Sequence, residues 1–381
     1  MKVLHLGKYY SPYRGGIENH MKALINKQHE SKFSVSAIVH DHLLFRGTQT
    51  ETINGARIVR VSTQLIAAFV PVSFFFLFWL VKEVRNNKPD IIHVHMPNVS
   101  AFYLLLKFVR LDAKIVVHWH SDVIGDKPAF VVKLLYPIYR FFERLVLEIA
   151  DSIIATSPCY AESSVSLKNW QSKVDIIPLA IEPQVNPPMP AIFNPKKDTL
   201  RLLCIGRLSY YKGHIFLLQA LESLVRSGRH IHLDIVGDGP LFRELSRTVI
   251  ERKLKGVVDF HRGLDDSALK ALICNSHLVC LPSIERTEAF GLVLLEAMRD
   301  ARPCIVTDVY GSGMSYVIQD NYNGYVVRSA DAKELARTIE RFIFEPRLIE
   351  ELGQNGYKRF IKEFELNRIL QQFNDVYQRV L

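Results

Sequence analysis

Cysteine is scarce in this chain of 381 residues, which has five cysteines at widely separated positions. Their number is odd and most of them lie among apolar residues, which argues against a disulfide framework. No Cys-x-x-Cys spacing occurs, so the usual thiolate zinc motif is absent too. The surroundings predict reduced thiols in a cytoplasmic protein at Cys159, Cys204, Cys274, Cys280 and Cys304.

The sequence also lacks the pattern of a secretory signal, because the apolar start Met1–Leu6 is short and Lys8 follows it. The run Leu65–Val81 carries no charge over 17 residues, the lower limit for a membrane-spanning helix. Pro71 interrupts this run, so a shorter helix over Val72–Arg85 is expected. A transmembrane helix is one interpretation, and a core helix with an exposed aromatic patch is the favoured one.

Signatures of nucleic-acid binding are missing as well, since the chain has no zinc finger, RNA-binding motif or basic helical arm. The net charge of +9 is unevenly distributed. Residues 1–180 hold 21 Lys and Arg against 14 Asp and Glu, whereas residues 181–381 hold 27 against 25. A basic first half favours an acidic membrane surface or a diphosphate lipid as partner, and no nucleic acid is expected.

A second apolar segment, Phe130–Ala150, combines aromatic residues with basic ones such as Lys133 and Arg144. A basic amphipathic segment of this kind can lie in a membrane interface, or it can pack as a helix on its own sheet. Pro137 lacks a backbone N–H, so we expect it to kink the segment or to divide it into two helices.

Short apolar runs alternate with helical patterns along most of the chain, which is typical of a parallel α/β sheet. Residues 181–195 contain five prolines and indicate a linker between two such series. The expected strands are Val3–Gly7, Val35–Val39, Ala56–Val61, Ile91–His95, Lys114–His118, Ser152–Thr156 and Val174–Pro178, then Arg201–Ile205, Ile231–Val236, Val257–Phe260, Leu278–Pro282, Cys304–Thr307 and Gly324–Val327.

The stretch from Glu288 to Glu296 places two carboxylates eight residues apart, near one face if the whole stretch is helical. Residues Gly291–Met298 have the pattern of a buried helix, with unbonded backbone N–H groups at its start. A helix N-terminus beside an acid suits a polyhydroxylated, negatively charged ligand. The alternative is a surface loop acid followed by an unrelated helix acid.

Further motifs accompany the paired acids in a definite order. Arg207 and Lys212 follow an apolar strand and are suited to a diphosphate, with Gly206 and Gly213 to turn the backbone. The ordered segments are Met1–Gly7, Pro12–Glu18, Cys204–Gly213, Leu233–Pro240, Val257–Gly263 and Leu278–Ser283.

This ordered set resembles the retaining glycosyltransferases of family 4, and the resemblance extends from Val3 to about Gly324. It implies the GT-B fold, an α/β protein with two Rossmann-like, doubly wound parallel-sheet domains that face each other across a cleft. The acceptor-binding domain would comprise residues 1–182 and a C-terminal helix at about 364–381, and the donor-binding domain residues 183–363. Ligands would bind beyond the carboxyl ends of the strands.

The resemblance also implies roles for individual residues. Arg207 and Lys212 would hold the diphosphate and stabilise the charge that grows as it leaves. Glu288 would lie beside the transferred sugar, and His120 would orient a sugar hydroxyl or stabilise positive charge at the anomeric centre. These four are the implied catalytic residues. The implied donor-binding residues are Gly15, Gly16, Gly237, Arg262, Phe290, Gly291, Leu292 and Glu296, with Glu296 on the ribose.

Histidines occur in two His-x-His pairs, His93 with His95 and His118 with His120, at the ends of expected strands. His118 and His120 share one face of their strand. A metal site is one interpretation, but no cysteine or carboxylate cluster completes a ligand set. Histidines in a cleft with satisfied hydrogen bonds are the other, so no metal is expected.

The mechanism that the resemblance implies is front-face attack, with the leaving diphosphate taking the acceptor proton. Double displacement would need a carboxylate nucleophile, and only Glu18 and Asp122 lie near the relevant motifs of the first domain. Arg and Lys stand in this fold where other enzymes use a metal, so neither a metal nor a cofactor is expected. The absence of an Asp-x-Asp motif agrees.

The resemblance implies transfer of a hexose from a nucleotide-diphosphate sugar, with GDP-mannose as the expected donor. The basic, aromatic first half favours a lipid-linked glycan acceptor of bacterial surface-polysaccharide synthesis, either lipopolysaccharide O-antigen or capsule. We expect a peripheral protein on the inner face of the cytoplasmic membrane. A nucleotide-sugar epimerase and a non-catalytic binding module are the alternatives on the same fold.

Overall fold

The computed structural model describes residues 1–13, 15–67, 70–123, 130–186, 189 and 192–381. The chain forms two compact units, one of Met1–Glu182 with Leu366–Leu381 and one of Pro183–Glu365. Each unit is built on its own mainly parallel sheet. The expected linker at residues 181–195 falls at the division between the units, and its residues 187–188 and 190–191 lie outside the described ones.

The first unit contains an eight-stranded sheet in the order β10-β9-β8-β7-β1-β2-β4-β3. All neighbouring strands run parallel except β3, which is antiparallel to β4 at one edge. The strands β1 to β10 are Lys2–Leu6, Ser34–Leu44, Gln49–Ile53, Ala56–Thr63, Leu65–Ala67, Val70–Val72, Ile91–Met96, Lys114–Trp119, Ser152–Ala155 and Val174–Ile176.

The C-terminal helix, Leu366–Val380, belongs to this first unit. Its Ile369 and Phe373 are buried in one apolar cluster with Val3 of β1. The sequence placed the start of this helix at about residue 364, two residues too early. The other helices are α1 (Gly16–Glu30), α2 (Phe76–Asn87), α3 (Lys107–Arg110), α4 (Phe130–Ile149) and α5 (Pro158–Ser163), with 3-10 turns at Val99–Leu105 and Lys168–Lys173.

The second unit contains a fully parallel six-stranded sheet in the order β13-β12-β11-β14-β15-β16. Counted within the unit, this is the 3-2-1-4-5-6 order of the Rossmann fold, whose strand order reverses between the first and the fourth strand. That reversal lies between β11 and β14. The strands β11 to β16 are Leu200–Ile205, Ile231–Val236, Val258–His261, Leu278–Leu281, Cys304–Thr307 and Gly324–Val327.

Helices of the second unit pack on this sheet through a single large apolar cluster that includes Leu202, Leu217, Leu233 and Phe342. Aspartate side chains accept backbone N–H groups at two helix starts and so fix where those helices begin. The helices are α6 (His214–Arg226), α7 (Phe242–Glu251), α8 (Asp266–Asn275), α9 (Leu292–Arg299), α10 (Met314–Val317), α11 (Ala332–Phe344) and α12 (Arg347–Arg359), with a 3-10 turn at Tyr210–Lys212 and a π-helix at Phe360–Phe364.

The apolar run Leu65–Val81 is not one helix. Its first part forms the antiparallel strand pair β5 and β6, in which Ile66 lies opposite Pro71. Helix α2 begins only at Phe76, four residues later than expected, because Pro71 and the strand pairing hold the preceding backbone extended. Residues 68–69 of this run lie outside the described ones. Among the described residues, no helix combines the length and the apolarity that a bilayer span requires.

Helix α4 is a single helix of 20 residues that contains Pro137, so of the two expected effects of this proline, a kink or a division into two helices, the division does not occur. A proline removes one N–H donor from the helix, and the backbone hydrogen bonds on either side of it still continue the helix. The antiparallel edge strand β3 and the β5–β6 pair were also missing from the expected strands. Strand β3 is largely polar, and β5 and β6 lie in an apolar run that does not distinguish a strand from a helix.

Candidate functional site

The strongest feature of the second unit is a buried ion pair between Lys212 and Glu288. Lys212 follows β11 and Glu288 follows β14, and these two strands are neighbours at the point where the strand order reverses. Beyond the carboxyl ends of such neighbouring strands a crevice opens, and this is where ligands of Rossmann-like sheets bind. The structure therefore brings together two residues that the sequence assigned to the donor site.

The electrostatics of the pair favour the charged form of Lys212. Burial disfavours the ammonium of Lys212, but the carboxylate of Glu288 and the nearby Tyr211 more than offset this, so the pKa of Lys212 is raised. Ser283 Oγ lies 3.4 Å from Glu288 Oε2, and Ser312 Oγ donates to the backbone carbonyl of Glu288. The sequence missed these two serines because nothing marks them apart from other loop serines.

Glycines shape the turns around the pair. Gly213 follows Lys212 with φ at +66°, and an added Cβ would lie 2.0 Å from the carbonyl oxygen of Pro282. Gly237 has φ at +152°, and its added Cβ would lie 2.0 Å from the carbonyl oxygen of Gly206. Both positions therefore require glycine for conformation and for space. These contacts hold the loops after β11, β12 and β14 together.

The loop after β14 leads into helix α9 at Leu292, with Gly291 as its N-cap at φ +82°. The first backbone N–H groups of α9 have no acceptor within the helix, so they can meet a ligand oxygen. Glu296 lies on α9, whereas Glu288 lies before it, so the two acids do not share one helix face as a fully helical stretch would require. Burial raises the pKa of Glu296, although Arg299 opposes the shift.

The two arginines assigned to the donor site have different environments. Arg207 is exposed, and among the described residues its guanidinium has no ion-pair partner. Arg262 donates to Asp238 at 2.6 Å and its guanidinium lies 4.5 Å from the centre of the Phe242 ring. This guanidinium lowers the pKa of the Asp238 carboxyl, with a further contribution from the N–H of Gly239. Only Arg207 is unpaired and ready to receive an anion.

In the first unit, the glycine pair Gly15 and Gly16 lies at the start of helix α1. A Cβ added at Gly16 would meet nothing within 4 Å, whereas one at Gly15 would lie 2.2 Å from Glu18 Oε2. Gly16 is thus open to a ligand, and Gly15 is constrained by Glu18. Burial raises the pKa of the Glu18 carboxyl. Arg14, beside this pair, lies outside the described residues.

His120 follows strand β8 and is one of seven buried histidines in the first unit, six of which form one set. Its ring stacks on that of His118, with 4.0 Å between the ring centres. The set comprises His5, His20, His93, His95, His118 and His120. Five of them come from three adjacent strands or their ends, where alternate residues point to the same side, and His20 comes from α1.

Burial keeps these imidazoles neutral. It lowers the pKa of His5 and of His20 to about 4, and lowers the pKa of the other four well below the usual value. Neutral imidazoles are the form that binds metals, and the nitrogens of His95, His118 and His120 lie within 4.8 Å of one another. Most of these nitrogens, however, are hydrogen-bonded to each other.

Comparison with known proteins identifies the family. The model of the family described as Glycosyltransferase Family 4 matches residues 14–185, and that described as Glycosyl transferases group 1 matches residues 187–359. O-antigen chain mannosyltransferase C of Escherichia coli is 31% identical over 100% of this chain and 99% of its own length. A D-rhamnosyltransferase of Pseudomonas aeruginosa is 29% identical over 96% of this chain and 92% of its own length.

Solved structures share the fold at low identity. Sucrose-phosphate synthase of Thermosynechococcus elongatus has a TM-score of 0.77 at 20% identity and covers 100% of this chain and 98% of its own. Anabaena HepE in complex with UDP-glucose has a TM-score of 0.73 at 18% identity and covers 100% of both chains. Together with the two Rossmann-like sheets, these findings define a GT-B protein. The chain belongs to the family 4 glycosyltransferases.

Proposed function

We propose that the protein is a retaining, metal-independent hexosyltransferase that uses a nucleotide-diphosphate sugar, with GDP-mannose as the expected donor. The observation that carries this proposal is the Lys212–Glu288 pair at the strand-order reversal of the second unit, beside the unpaired Arg207 and the start of α9. Two fixed cations and a helix N-terminus form a site for a diphosphate, and the acid beside them suits sugar hydroxyls.

In this proposal Lys212 and Arg207 stabilise the negative charge that grows on the departing diphosphate. Before the donor binds, Glu288 neutralises Lys212, which allows an ammonium to stay charged in a buried place. Glu288 then accepts hydrogen bonds from the sugar, and the N–H groups of Phe290, Gly291 and Leu292 donate to it. Glu296 accepts the ribose hydroxyls.

The state of the nearby carboxyls in the first unit supports front-face attack rather than double displacement. Asp122 accepts hydrogen bonds from Trp119 Nε1 at 2.9 Å and from Ser164 Oγ at 2.7 Å. Burial raises the pKa of Glu18, which disfavours its anionic form. Both features make the residue concerned less suited to the role of the nucleophile that a covalent intermediate needs. The leaving diphosphate would therefore take the proton of the acceptor hydroxyl.

The surface of the first unit supports a lipid-linked acceptor at a membrane. Phe74, Phe75 and Phe78 at the start of α2 are exposed, as are Phe108 of α3 and Phe141 of α4. Phe102 in the 3-10 turn before α3 stacks on Phe142 of α4, so these elements are neighbours. Nearby basic side chains include Lys82, Lys107 and Arg144. Apolar and cationic groups together favour binding at the anionic inner face of the cytoplasmic membrane.

The names of two relatives support the sugar and the pathway class. The Escherichia coli relative is named as an O-antigen chain mannosyltransferase, and the Pseudomonas aeruginosa relative as a D-rhamnosyltransferase. We therefore propose mannose as the transferred hexose and a lipid-linked O-antigen or capsule glycan as the acceptor.

The test is a thermal-shift panel with GDP, UDP, ADP and their common sugars, with and without EDTA, followed by a transfer assay with the stabilising donor. Selective stabilisation by GDP-mannose that EDTA does not change supports the proposal. A ligand at about a hundred times its dissociation constant adds roughly 2.7 kcal/mol. Conversion of the donor without an acceptor would indicate an epimerase, and no shift with any nucleotide would indicate a decayed site.

A further inference from the structure

His120 lies at the end of a chain of hydrogen bonds that begins at Gln28 of helix α1. Gln28 Oε1 lies 2.7 Å from His5 Nε2, and His5 Nδ1 lies 3.0 Å from His95 Nε2. His95 Nδ1 in turn lies 2.9 Å from His120 Nε2. Every ring nitrogen along this chain thus takes part in a hydrogen bond, except the last one, Nδ1 of His120.

A second chain begins at the other atom of the same amide and ends at His118. Gln28 Nε2 donates to the hydroxyl of Tyr377 at 3.1 Å, and that hydroxyl lies 2.6 Å from His93 Nδ1. His93 Nε2 lies 3.2 Å from His118 Nδ1. Tyr377 belongs to the C-terminal helix, so this chain joins the ends of the first unit's sequence.

The direction of both chains follows from the contact between Tyr377 and His93. At 2.6 Å it is shorter than the range of about 2.7–3.2 Å for N–H donors and suits a hydroxyl donor. Tyr377 therefore donates its proton to His93 Nδ1 and accepts from Gln28 Nε2. This orients the amide so that Gln28 Oε1, which can only accept, faces His5.

The tautomer of every ring in the two chains is then fixed, because a neutral imidazole has one donor and one acceptor nitrogen. His5 must donate from Nε2, so its Nδ1 accepts from His95 Nε2. The same alternation makes His120 donate from Nε2 and leaves its Nδ1 as a bare acceptor. In the other chain, His93 donates from Nε2 to His118 Nδ1, which leaves the proton of His118 on Nε2.

The two chains thus end in complementary groups. Among the described residues, the buried His120 Nδ1 and His118 Nε2 have no hydrogen-bond partner. The centres of their rings lie 4.0 Å apart, so the ring that carries the acceptor stacks on the ring that carries the donor. Buried polar atoms that lack a protein partner mark a place where a ligand supplies one.

We propose that Gln28 is a positioning residue that fixes His120 as a neutral hydrogen-bond acceptor at Nδ1. This rests on the proposed function together with the role that the family resemblance implies for His120 beside the transferred sugar, and it specifies that contact. His120 accepts a hydrogen bond from a sugar hydroxyl, and His118 Nε2 is held as the adjacent donor. With no proton on Nδ1, His120 does not act there as a general acid.

A metal ion is the competing occupant of the same nitrogens. A divalent cation bound to His95, His118 and His120 could use the free lone pair of His120 Nδ1, but it would also need the lone pairs of His95 Nδ1 and His118 Nδ1, which the hydrogen-bond chains already use. Metal binding and the tautomer assignment therefore exclude each other, so one experiment decides between them.

The first measurement is nitrogen NMR of the whole protein labelled with 15N-histidine, without added metal and after addition of Zn²⁺. The expected result is one tautomer, protonated at Nε2, for His5, His93, His95, His118 and His120. Couplings across the hydrogen bonds should join His5 to His95, His95 to His120, and His93 to His118. Protonation at Nδ1 of His120 in the wild type, or stoichiometric Zn²⁺ that removes these couplings, would overturn the assignment.

Two variants should act on different parts of the network. Gln28→Met removes the acceptor for His5 and should allow an Nδ1-protonated form of His120, while Tyr377 still holds His93 and His118. Tyr377→Phe removes the contact that sets the direction of both chains, so it should release the tautomers of both His118 and His120. Gln28→Glu keeps an acceptor toward His5 and should restore the wild-type signals of His120. Loss of the His118 tautomer in Gln28→Met as well would show general destabilisation instead.

Turnover is measured on the same variants. Gln28→Met should lower kcat roughly 10-fold with the donor KM unchanged, as is typical for partners that orient a catalytic group, and Gln28→Glu should recover most of it. The NMR result does not depend on turnover. If the wild type shows the expected tautomers but transfers no sugar, the network stands and the proposed function is refuted. If Gln28→Met transfers sugar and its His120 has the same tautomer as in the wild type, the positioning role is refuted.

Discussion

The ammonium of Lys212 pairs with the carboxylate of Glu288, and the two side chains are only 11% and 12% exposed. The pair joins the loops that follow β11 and β14, the two strands between which the sheet order reverses. Removing such a charged pair from water is costly in free energy, so we do not expect the pair to serve mainly to stabilise the fold. We expect it to serve binding, in that a bound anion takes over from Glu288 as the partner of Lys212.

Lys212→Ala should abolish most transfer and also destabilise the protein, because it leaves the buried Glu288 without its cation. We expect a loss of roughly 10²-fold in kcat and of about 3 kcal/mol in the free energy of unfolding. Adding Glu288→Gln should restore much of the stability and none of the activity. Transfer kinetics and urea unfolding separate the two effects. Equal stability of the single and double variants would contradict the ion-pair argument, and Lys333→Ala on the surface is the control.

Gly213→Ala should be far more damaging than Gly228→Ala. Both glycines have positive φ, +66° and +74°, so each substitution strains the backbone by about 1–2 kcal/mol. At Gly213 the new methyl would also lie 2.0 Å from the carbonyl of Pro282, whereas at Gly228 nothing lies within 4 Å. The midpoint temperature of thermal unfolding and the donor affinity should both fall for Gly213→Ala. For Gly228→Ala only the midpoint temperature should fall, and only slightly. Similar losses in the two variants would show that the contact with Pro282 relaxes.

Arg207→Ala and Arg262→Ala should differ in which kinetic constant changes. Arg207 is unpaired and is proposed to act on the leaving diphosphate, so its loss should lower kcat roughly 10²-fold. Arg262 is held by Asp238 and Phe242, and its loss should mainly raise the donor KM. Initial-rate kinetics with varied donor distinguishes the two. A large fall in kcat for Arg262→Ala alone would reverse these assignments.

Serine substitution of Phe74 and Phe78 together should weaken binding to vesicles that contain anionic lipid. The two rings are 78% and 62% exposed, so the substitution should leave the free energy of unfolding nearly unchanged. Losing two inserted rings should reduce the vesicle affinity by roughly 10-fold or more. Co-sedimentation at varied lipid concentration measures this. The matched control is Tyr310→Ser, an aromatic residue of the second unit that is 85% exposed, and an equal loss there would argue against a specific surface.

Stability should fall as the pH drops from about 6.5 toward 4. His5 and His20 are buried and neutral, with pKa values lowered to about 4, whereas in the unfolded chain they ionise near 6.5. Below pH 6.5 the unfolded state therefore binds protons that the folded state does not. Each such histidine removes about 1.4 kcal/mol per pH unit in this window and contributes nothing above it. Urea unfolding between pH 4 and 8 tests this.

The slope of that pH dependence should decrease in His20→Phe and remain in His230→Gln, since His230 is exposed. An unchanged slope in His20→Phe would mean that other groups cause the acid sensitivity.

The sequence by itself determined the two parallel sheets and much of the candidate site. Strands such as Leu278–Leu281 and Cys304–Thr307 are buried on both sides and so appear as short continuous apolar runs between turn residues, which is a local signal. The glycines and cations after β11 are a local signal too. The turn there needs residues without a Cβ, and the two cations stand next to these glycines in the sequence. The edge strand β3 and the β5–β6 pair escaped because each is a strand through its pairing with a neighbouring segment, and the residues of these strands carry no clear strand pattern.

Only the tertiary structure decided which of these residues meet. It pairs Lys212 with Glu288, holds Arg262 on Asp238, and connects Gln28 and Tyr377 to the histidines of three strands. Gln28 and Tyr377 are ordinary residues of amphipathic helices in the sequence, and no spacing marks them. Hydrogen bonds and ion pairs between residues far apart in the chain depend on strand order and helix packing. Local residue patterns do not contain that information.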